Sequence, residues 1–213
     1  MSSSSLILVG GGGHCRAVID LIALLKEHRI EGILDKKEHL GRTVSGYPII
    51  GTDDMIPELV EQGHRFLVTA GQVNASSLRK QLFDAIVQAG GLLATIVSPL
   101  AYVSSNAELG AGIVIGHGAV VNTGAIIGAN CIINTGAIVE HDARVAEHCH
   151  VATGAIVNGD CSVGTGSLIG SRAVLLQGVR IMDNCIIGAG AVVLRDVPQG
   201  LTVFGVPARP LMK

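Results

Sequence analysis

Aromatic side chains are nearly absent from this chain of 213 residues, which contains no Trp, two Tyr and three Phe but 29 Gly. Large aromatic side chains usually dominate the packing of a globular core. Their scarcity argues against a conventional wide core. The composition instead favours a narrow fold whose core contains small and branched side chains and whose turns contain glycine.

The chain also lacks an excess of charge and a long apolar run. Its formal net charge is -2, so composition gives no sign of a nucleic-acid partner or of an anionic membrane surface. No apolar run approaches the roughly 20 residues of a membrane span. The apolar segment at residues 6–9 is too short for a signal-peptide core. We therefore expect a cytoplasmic protein without membrane insertion.

No CxxC pair occurs among the five cysteines. Four of them share one phase of a repeat described below, and alanine or serine holds that phase at ten further positions. Cysteine serves there as a small apolar side chain. The pattern therefore predicts packing rather than disulfide, redox or metal chemistry for Cys131, Cys149, Cys161 and Cys185.

That repeat is an unbroken series of Leu, Ile or Val at every sixth position from Val97 to Val193, seventeen positions in all. A period of six matches neither the 3.6 residues of an α-helix nor the two of a strand. It is the hexapeptide signature of a parallel β-helix, in which each coil stacks on the preceding one. The C-terminal half is therefore predicted to be a β-helix.

Residues 1–95 show a different pattern, in which apolar strands and amphipathic helices alternate. The predicted strands cover residues 6–9, 32–35 and 66–70, and the predicted helices run from 15 to about 27 and from 74 to 89, with Asn74 or Ser76 as cap. Such alternation predicts a small parallel sheet with ligand groups at the carboxyl ends of its strands. We therefore expect an α/β, Rossmann-like domain over 1–95 and a β-helix over 96–213.

A glycine turn, GGGGH at residues 10–14, lies between the first predicted strand and helix. Its backbone N–H groups and the helix N-terminus can receive a phosphate. Asp35 follows at a strand end, where a dinucleotide fold carries its ribose-binding acid. Cys15 stands at the third glycine position of GxGxxG, which counts against an NAD-dependent dehydrogenase. A phosphate site and a merely tight turn both remain open.

His141 is the most promising candidate for a catalytic side chain. It stands third in its hexad, beyond the inward-pointing Val139, and should project from a coil edge. The flanking carboxylates of Glu140 and Asp142 could fix its tautomer and raise its basicity. A purely structural histidine is the alternative.

The whole chain resembles the sugar O/N-acyltransferase family, which includes the PglD-type nucleotide-sugar 4-amino N-acetyltransferases and the NeuD sialic acid O-acetyltransferases. The matching segments are GGGGH, LDK at 34–36, AG at 70–71, INTGAIVEHD at 133–142, the hexads, and FGVPAR at 204–209. The resemblance implies a left-handed β-helix of triangular coils, each made of three hexads, and a Rossmann-like domain that binds a nucleotide sugar.

The resemblance also implies roles for individual residues. His141 corresponds to the general base and Asp142 to the acidic neighbour that tunes it, which is often Glu in relatives. The implied acetyl-CoA site comprises His150, Gly170, Ser171 and Ala189. The implied nucleotide-sugar site comprises Gly12, Gly13, His14, Asp35, Lys36 and Gly71.

His150 lies half of such a coil beyond His141, so the two imidazoles should face different sides of one subunit. A homotrimer would bring His141 of one subunit to His150 of the next. The predicted reaction is direct acetyl transfer from acetyl-CoA to the 4-amino group of a nucleotide-linked amino-dideoxy sugar, without a metal. His150 or a backbone N–H would stabilise the oxyanion.

Three alternatives remain. One is O-acetylation of sialic acid or a related sugar. Another is a metal hydratase on the same fold, which needs three converging histidines and is disfavoured because His117 and His141 are one coil plus one hexad apart. The third is a purely structural or binding role.

Overall fold

The computed structural model describes residues 4–72 and 77–211. The chain divides into two compact units. The first comprises Met1–Gly71 and Ser77–Ile96, and the second comprises Gln72–Ser76 and Val97–Lys213. Within the described ranges, no helix is both long enough and apolar enough to cross a membrane.

The first unit is built on a six-stranded sheet whose strands are β1 (Ser4–Val9), β2 (His28–Leu34), β3 (Thr43–Val44), β4 (Tyr47–Gly51), β5 (Arg65–Val68) and β6 (Leu92–Leu93). Their order in the sheet is β3-β4-β2-β1-β5-β6. All neighbouring strands run parallel except the β3–β4 hairpin. Because the chain runs from β1 to β2 on one side and later to β5 on the other, the carboxyl end of β1 is a topological switch point.

Three α-helices accompany this sheet: α1 (Gly13–Ala23), α2 (Ile56–Glu61) and α3 (Ser77–Gln88). Short 3-10 helices cover Lys37–His39 and Asp53–Met55. Helix α1 both begins and ends earlier than the hydrophobic spacing predicted. The predicted caps of the last helix, Asn74 and Ser76, lie outside the described residues.

Sequence reasoning missed the β3–β4 hairpin and helix α2. The hairpin turns through Ser45 and Gly46, which both have positive φ (49° and 87°), as a tight hairpin turn requires. The SG pair is a weaker sequence signal than Asn-Gly, and α2 has only six residues. Both elements were therefore too short or too weakly marked to predict.

The second unit is a β-helix of two-residue parallel strands on three faces, apart from a three-residue strand at 202–204 and the antiparallel strand that follows it, and this confirms the prediction from the hexads. Strands three hexads apart pair in register, as Val121 does with Val139 and Val139 with Val157. Three hexads therefore form one coil. The strands of face I are β7 (Ile96–Val97), β10 (Val114–Ile115), β13 (Ile132–Ile133), β16 (His150–Val151), β19 (Leu168–Ile169), β22 (Ile186–Ile187), β24 (Thr202–Phe204) and β25 (Arg209–Pro210).

The other two faces have fewer strands. Face II contains β8 (Tyr102–Val103), β11 (Val120–Val121), β14 (Ile138–Val139), β17 (Ile156–Val157), β20 (Val174–Leu175) and β23 (Val192–Val193). Face III contains β9 (Glu108–Leu109), β12 (Ile126–Ile127), β15 (Arg144–Val145), β18 (Ser162–Val163) and β21 (Arg180–Ile181).

The hexad residues form the core of the β-helix. From Ile115 to Val193 each is at most 2% exposed, whereas Val97, Val103 and Leu109 are only partly buried. These three belong to the first coil, which has a neighbouring coil on one side only.

The cysteines pack as predicted. All five are free, and the four in the β-helix belong to its buried core. Burial raises the pKa of the thiols of Cys161 and Cys185, and in the first unit it raises the pKa of Cys15 to about 11. These thiols remain protonated at neutral pH, so they are poor nucleophiles.

Candidate active site

His141 and Asp142 occupy the corner of the β-helix between faces II and III, after β14 and before β15. Asp142 adopts a left-handed backbone with φ of 59°, which an Asp side chain tolerates better than most. This turn places the Asp142 carboxylate beside the preceding imidazole, with Oδ2 2.9 Å from His141 Nδ1. Both side chains are exposed to solvent.

The Asp142 contact determines which nitrogen of His141 is available as a base. Nδ1–H donates to the carboxylate, so Nε2 of the neutral ring carries the lone pair. This hydrogen bond is the main reason that the pKa of His141 is raised, and the negative charges of Asp142, Asp160 and Glu140 add to the effect. The result is an imidazole with increased basicity on an open edge, as general base catalysis requires.

Two glycines on the neighbouring coils complete this corner, and sequence reasoning did not select either of them. Gly159 stands one coil after His141, and a Cβ placed on it would lie 2.6 Å from His141 Nε2. Gly124 stands one coil before Asp142, and a Cβ there would lie 2.5 Å from Asp142 Oδ1. The one-coil offset was the signal that could have identified both.

His150 lies on face I in β16, away from the corner that carries His141. Its Nδ1 is 2.8 Å from the carbonyl oxygen of Gln72, and its Nε2 is 3.1 Å from Nδ2 of Asn134. The N–H of Thr135 donates to Oδ1 of Asn134, which orients the amide so that Nδ2 faces the ring. Nδ1 therefore donates and Nε2 accepts. Of the two predicted oxyanion donors, this bonding favours a backbone N–H over His150.

The other residues of the implied acetyl-CoA site lie at the corner between faces I and II. Gly170 approaches the next coil so closely that a Cβ would lie 2.5 Å from the Ile187 oxygen. Ser171 and Ala189, which occupy equivalent positions of successive coils, are both exposed at this corner. Within one subunit, these residues therefore occupy a different edge of the β-helix from His141.

In the first unit, the implied nucleotide-sugar residues gather at the carboxyl ends of β1, β2 and β5. Gly12 and Gly13 are exposed at the start of α1. His14 is in contact range of Gly71, where an added Cβ would lie 3.4 Å from the His14 Cβ. Asp35 and Lys36 directly follow β2.

The Asp35 carboxylate forms hydrogen bonds with residues of its own unit. Its Oδ2 accepts from the N–H of Gly11 at 3.1 Å and lies 3.0 Å from Nδ1 of His39, while Oδ1 accepts from the N–H of Lys36 at 2.8 Å. Partial burial raises the pKa of Asp35, but the Lys36, His39 and Gly11 hydrogen bonds outweigh it and lower the pKa overall. The carboxylate is therefore ionised and oriented at neutral pH.

A cavity of about 110 Å³ opens beside this carboxylate. Its polar lining comes from Asp35, Lys36 and Asp53, and its apolar lining includes Leu34 and Leu82. Carboxylates accept hydrogen bonds from N–H and O–H groups, whereas the exposed glycine turn offers backbone donors. The unit thus presents acceptors and donors at adjacent strand ends.

Over residues 4–72 and 77–211, no three His, Cys, Asp or Glu side chains are grouped so that they could bind a metal ion. His117 lies at the corner between faces I and II, where its Nδ1 is 2.7 Å from Oγ of Ser98. It does not share a corner with His141, which leaves the metal hydratase alternative without a ligand set in this part of the chain.

With this geometry established, comparisons with known proteins identify the family. Residues 5–86 match the PglD N-terminal domain, and residues 160–195 match the bacterial transferase hexapeptide (six repeats). A perosamine N-acetyltransferase from Caulobacter crescentus, solved in mutant form with CoA and GDP-perosamine, is 34% identical, with a TM-score of 0.93 over 100% of this chain and 99% of that one. The chain belongs to the PglD-like family of sugar acyltransferases.

Other family members agree with this assignment. The acetyltransferase domain of PglB from Neisseria gonorrhoeae, solved with acetyl coenzyme A, is 33% identical, with a TM-score of 0.92 over 99% of this chain and 100% of that one. A UDP-N-acetylbacillosamine N-acetyltransferase of Bacillus subtilis is 34% identical over 117 residues, which are 52% of this chain but only 50% of that protein. This PglD-like chain is thus an enzyme of the acetyltransferase class with the predicted fold.

Proposed function

We propose that this enzyme transfers the acetyl group of acetyl-CoA to the 4-amino group of a nucleotide-linked amino-dideoxy sugar, in the synthesis of bacterial surface glycans or glycoprotein sugars. The observation that carries the proposal is the similarity over the full chain to an enzyme solved with CoA and GDP-perosamine. The His141–Asp142 pair supplies the chemistry that this reaction needs.

In the proposed mechanism His141 is the general base. Nε2 accepts a proton from the sugar amine as the amine nitrogen adds to the thioester carbonyl, and Asp142 stabilises the resulting imidazolium. A backbone N–H stabilises the oxyanion. When the tetrahedral adduct collapses, the C–S bond breaks and His141 returns the proton to the CoA thiolate. The balance is one amide and one thiol formed from one amine and one thioester.

We assign nucleotide-sugar binding to residues 1–95. The start of α1 offers backbone N–H groups to the diphosphate, and Asp35 accepts hydrogen bonds from the nucleoside. The proposed contact residues are Gly12, Gly13, His14, Asp35, Lys36 and Gly71.

Acetyl-CoA binding and catalysis are assigned to residues 96–213. The exposed corner between faces I and II provides a surface for the extended pantetheine chain. The proposed contact residues there are His150, Gly170, Ser171 and Ala189.

We further propose that the enzyme is a homotrimer in which face II is the subunit interface. The outward residues of face II are all apolar from Val120 to Val192 and only partly buried in the isolated chain, and Tyr102 is 58% exposed. Face III instead presents the charged residues Glu108, Arg144 and Arg180 together with Ile126 and Ser162. Face II separates the His141 corner from the Ser171 corner. Packing face II against a second copy therefore brings the base of one subunit to the proposed acetyl-CoA site of the next.

The cytoplasm is the proposed location. All five cysteines are free, which fits a compartment that keeps thiols reduced.

The proposal is tested by incubating the purified protein with acetyl-CoA and UDP-, GDP- or dTDP-linked 4-amino sugars, with free sialic acid as the competing acceptor. CoA release is followed with a thiol reagent and the product by mass spectrometry. We expect a mass gain of one acetyl group on a nucleotide sugar. Acetylation of sialic acid alone would overturn the proposal in favour of O-acetylation.

A further inference from the structure

The backbone conformation of Gly159 does not require a glycine. Its φ lies outside the left-handed region, so an L side chain would fit its conformation. The three heavy atoms nearest to an added Cβ all belong to the His141 ring, at 2.6, 2.7 and 3.2 Å. The equivalent corner position of other coils does carry side chains, namely Ser105, Thr123, Gln177 and Arg195.

Gly124 shows the same relation to Asp142. Its φ of 70° is left-handed, but the equivalent corner residues Asp142 and Asp160 adopt the same conformation, with φ of 59° and 58°. A side chain is therefore compatible with this turn. What excludes it at Gly124 is the Asp142 carboxylate, whose Oδ1 would lie 2.5 Å from the added Cβ.

We propose that Gly124 and Gly159 are positioning residues of the His141–Asp142 pair. The coil on one side leaves space for the carboxylate, and the coil on the other side leaves space for the imidazole. The two side chains thereby keep the orientation in which Nδ1 faces Asp142. This inference rests on the proposed function, which makes His141 the base.

The charged groups around His141 determine how the pKa of its ring would change if the His141–Asp142 pair were displaced. The charged groups that act on the ring are Asp142, Glu140 and Asp160, and Glu140 is itself held by Nδ2 of Asn122 at 2.9 Å. Since the Asp142 hydrogen bond is the main cause of the raised pKa of His141, any side chain that separates the pair lowers that pKa.

Gly124→Asn is the first test, because Asn already occupies left-handed positions at 130 and 184 in this β-helix. Gly178→Asn is the matched control. It has the same corner position three coils further on and a φ of 74°, and apart from its chain neighbours no described residue has an atom within 4 Å of its added Cβ. We expect Gly124→Asn to lower kcat about tenfold and to move the acidic limb of the pH profile to lower pH. Gly178→Asn should change neither. Equal effects of the two variants would overturn the role of Gly124.

Gly159→Ala is the second test, read by NMR titration of the His141 ring in the free enzyme as well as by kinetics. Displacing a reacting group by about 1 Å can cost about 100-fold in rate, so we expect a loss of kcat of that order with a lower pKa of His141. The KM for acetyl-CoA and the thermal midpoint should stay the same, because the exposed ring can move aside.

Lost activity with an unchanged His141 pKa in Gly159→Ala would overturn the inference, since the glycine would then act through its backbone. An unchanged pKa and unchanged kcat would overturn it as well. The titration needs no substrate, so it remains decisive even if the proposed acetyl transfer fails in the acceptor assay. Should Gly159→Ala not fold, the comparison between positions 124 and 178 decides the matter.

Discussion

The two units of this protein assemble their candidate sites in opposite ways. In the β-helix, residues that touch are one coil apart in the sequence, as in the Gly124–Asp142 and His141–Gly159 contacts. In the α/β unit, Gly12, Asp35 and Gly71 come from three strand ends separated by unequal lengths of chain. In a periodic fold, a fixed separation in the sequence therefore predicts which residues are in contact. In an α/β fold, the contacts can be predicted only when the order of the strands in the sheet is known.

The difference has a physical origin. Parallel strands in the β-helix are about 4.8 Å apart, so each corner side chain meets the equivalent positions of the coils above and below. In the α/β unit the sheet order places β5 next to β1, although strands β2 to β4 and helices α1 and α2 lie between them along the chain. A substitution at one β-helix corner should therefore affect residues of the adjacent coils. A substitution in the α/β cavity should affect ligand binding alone.

Replacing His141 by Ala should produce the largest effect and separate the two units functionally. General base catalysis contributes about 10²- to 10⁴-fold, so kcat should fall by at least 100-fold. Binding of the nucleotide sugar, measured calorimetrically, should remain the same because it is assigned to the first unit. Ser105→Ala, at the equivalent exposed corner position two coils before His141, is the matched control and should retain activity. Activity of His141→Ala within tenfold of the unmodified enzyme would reject the assignment.

The proposed subunit interface is tested by a pair of isoleucines on different faces. Ile156→Asp on face II should dissociate the trimer, because burial of an unpaired carboxylate costs several kcal/mol. Activity should fall by about 100-fold, equivalent to about 2.7 kcal/mol, since the two halves of the site separate. Sedimentation velocity measures the oligomer. Ile126→Asp, an equivalent outward position on face III, should leave both properties unchanged, and dissociation by this control would argue against face II.

Substituting Asp142 by Asn should move the acidic limb of the kcat/KM profile to lower pH. The Asp142 hydrogen bond raises the pKa of His141, so its loss lowers that pKa and deprotonates the base at lower pH. The plateau rate should fall about tenfold because a weaker base accepts the proton less readily. Rates measured from pH 5 to 9 check this, and a limb that stays in place would show that another group titrates.

Asp35→Asn should have the smallest effect on turnover, because its effect is confined to ligand binding in the first unit. A hydrogen bond to a charged group contributes about 1.5–3 kcal/mol, so KM for the nucleotide sugar should rise about tenfold. The kcat and the KM for acetyl-CoA should not change. Glu38→Gln, an exposed neighbour in the Lys37–His39 turn, is the control. A fall in kcat instead would mean that Asp35 acts on the reacting centre.

The β-helix was predictable almost residue by residue. The hexads specified which side chains point inward, and the cysteine phase was correctly read as packing. In the α/β unit, the main strands were predicted within a few residues at their ends, but the β3–β4 hairpin and α2 were not. Short elements contribute few side chains to a pattern, so tertiary contacts rather than local propensity determine them.

The residues of the candidate site also differ in how far the sequence could predict them. His141 and its neighbour Asp142 could be selected from the sequence because carboxylates flank an outward histidine. The bonding of His150 could not, since it depends on Gln72, which is distant in the sequence. The hydrogen bonds of Gly11 and His39 to the Asp35 carboxylate likewise depend on how the turn after β2 folds back.

The sequence by itself determined the β-helix, its inward positions and the outward position of His141, because a strict period of six gives every inward side chain the same phase. Only the tertiary structure decided that His150 donates through Nδ1, and that Asp35 is already hydrogen-bonded beside a cavity. These features depend on side-chain orientations and on contacts between separate segments of the chain, which no repeat in a sequence records.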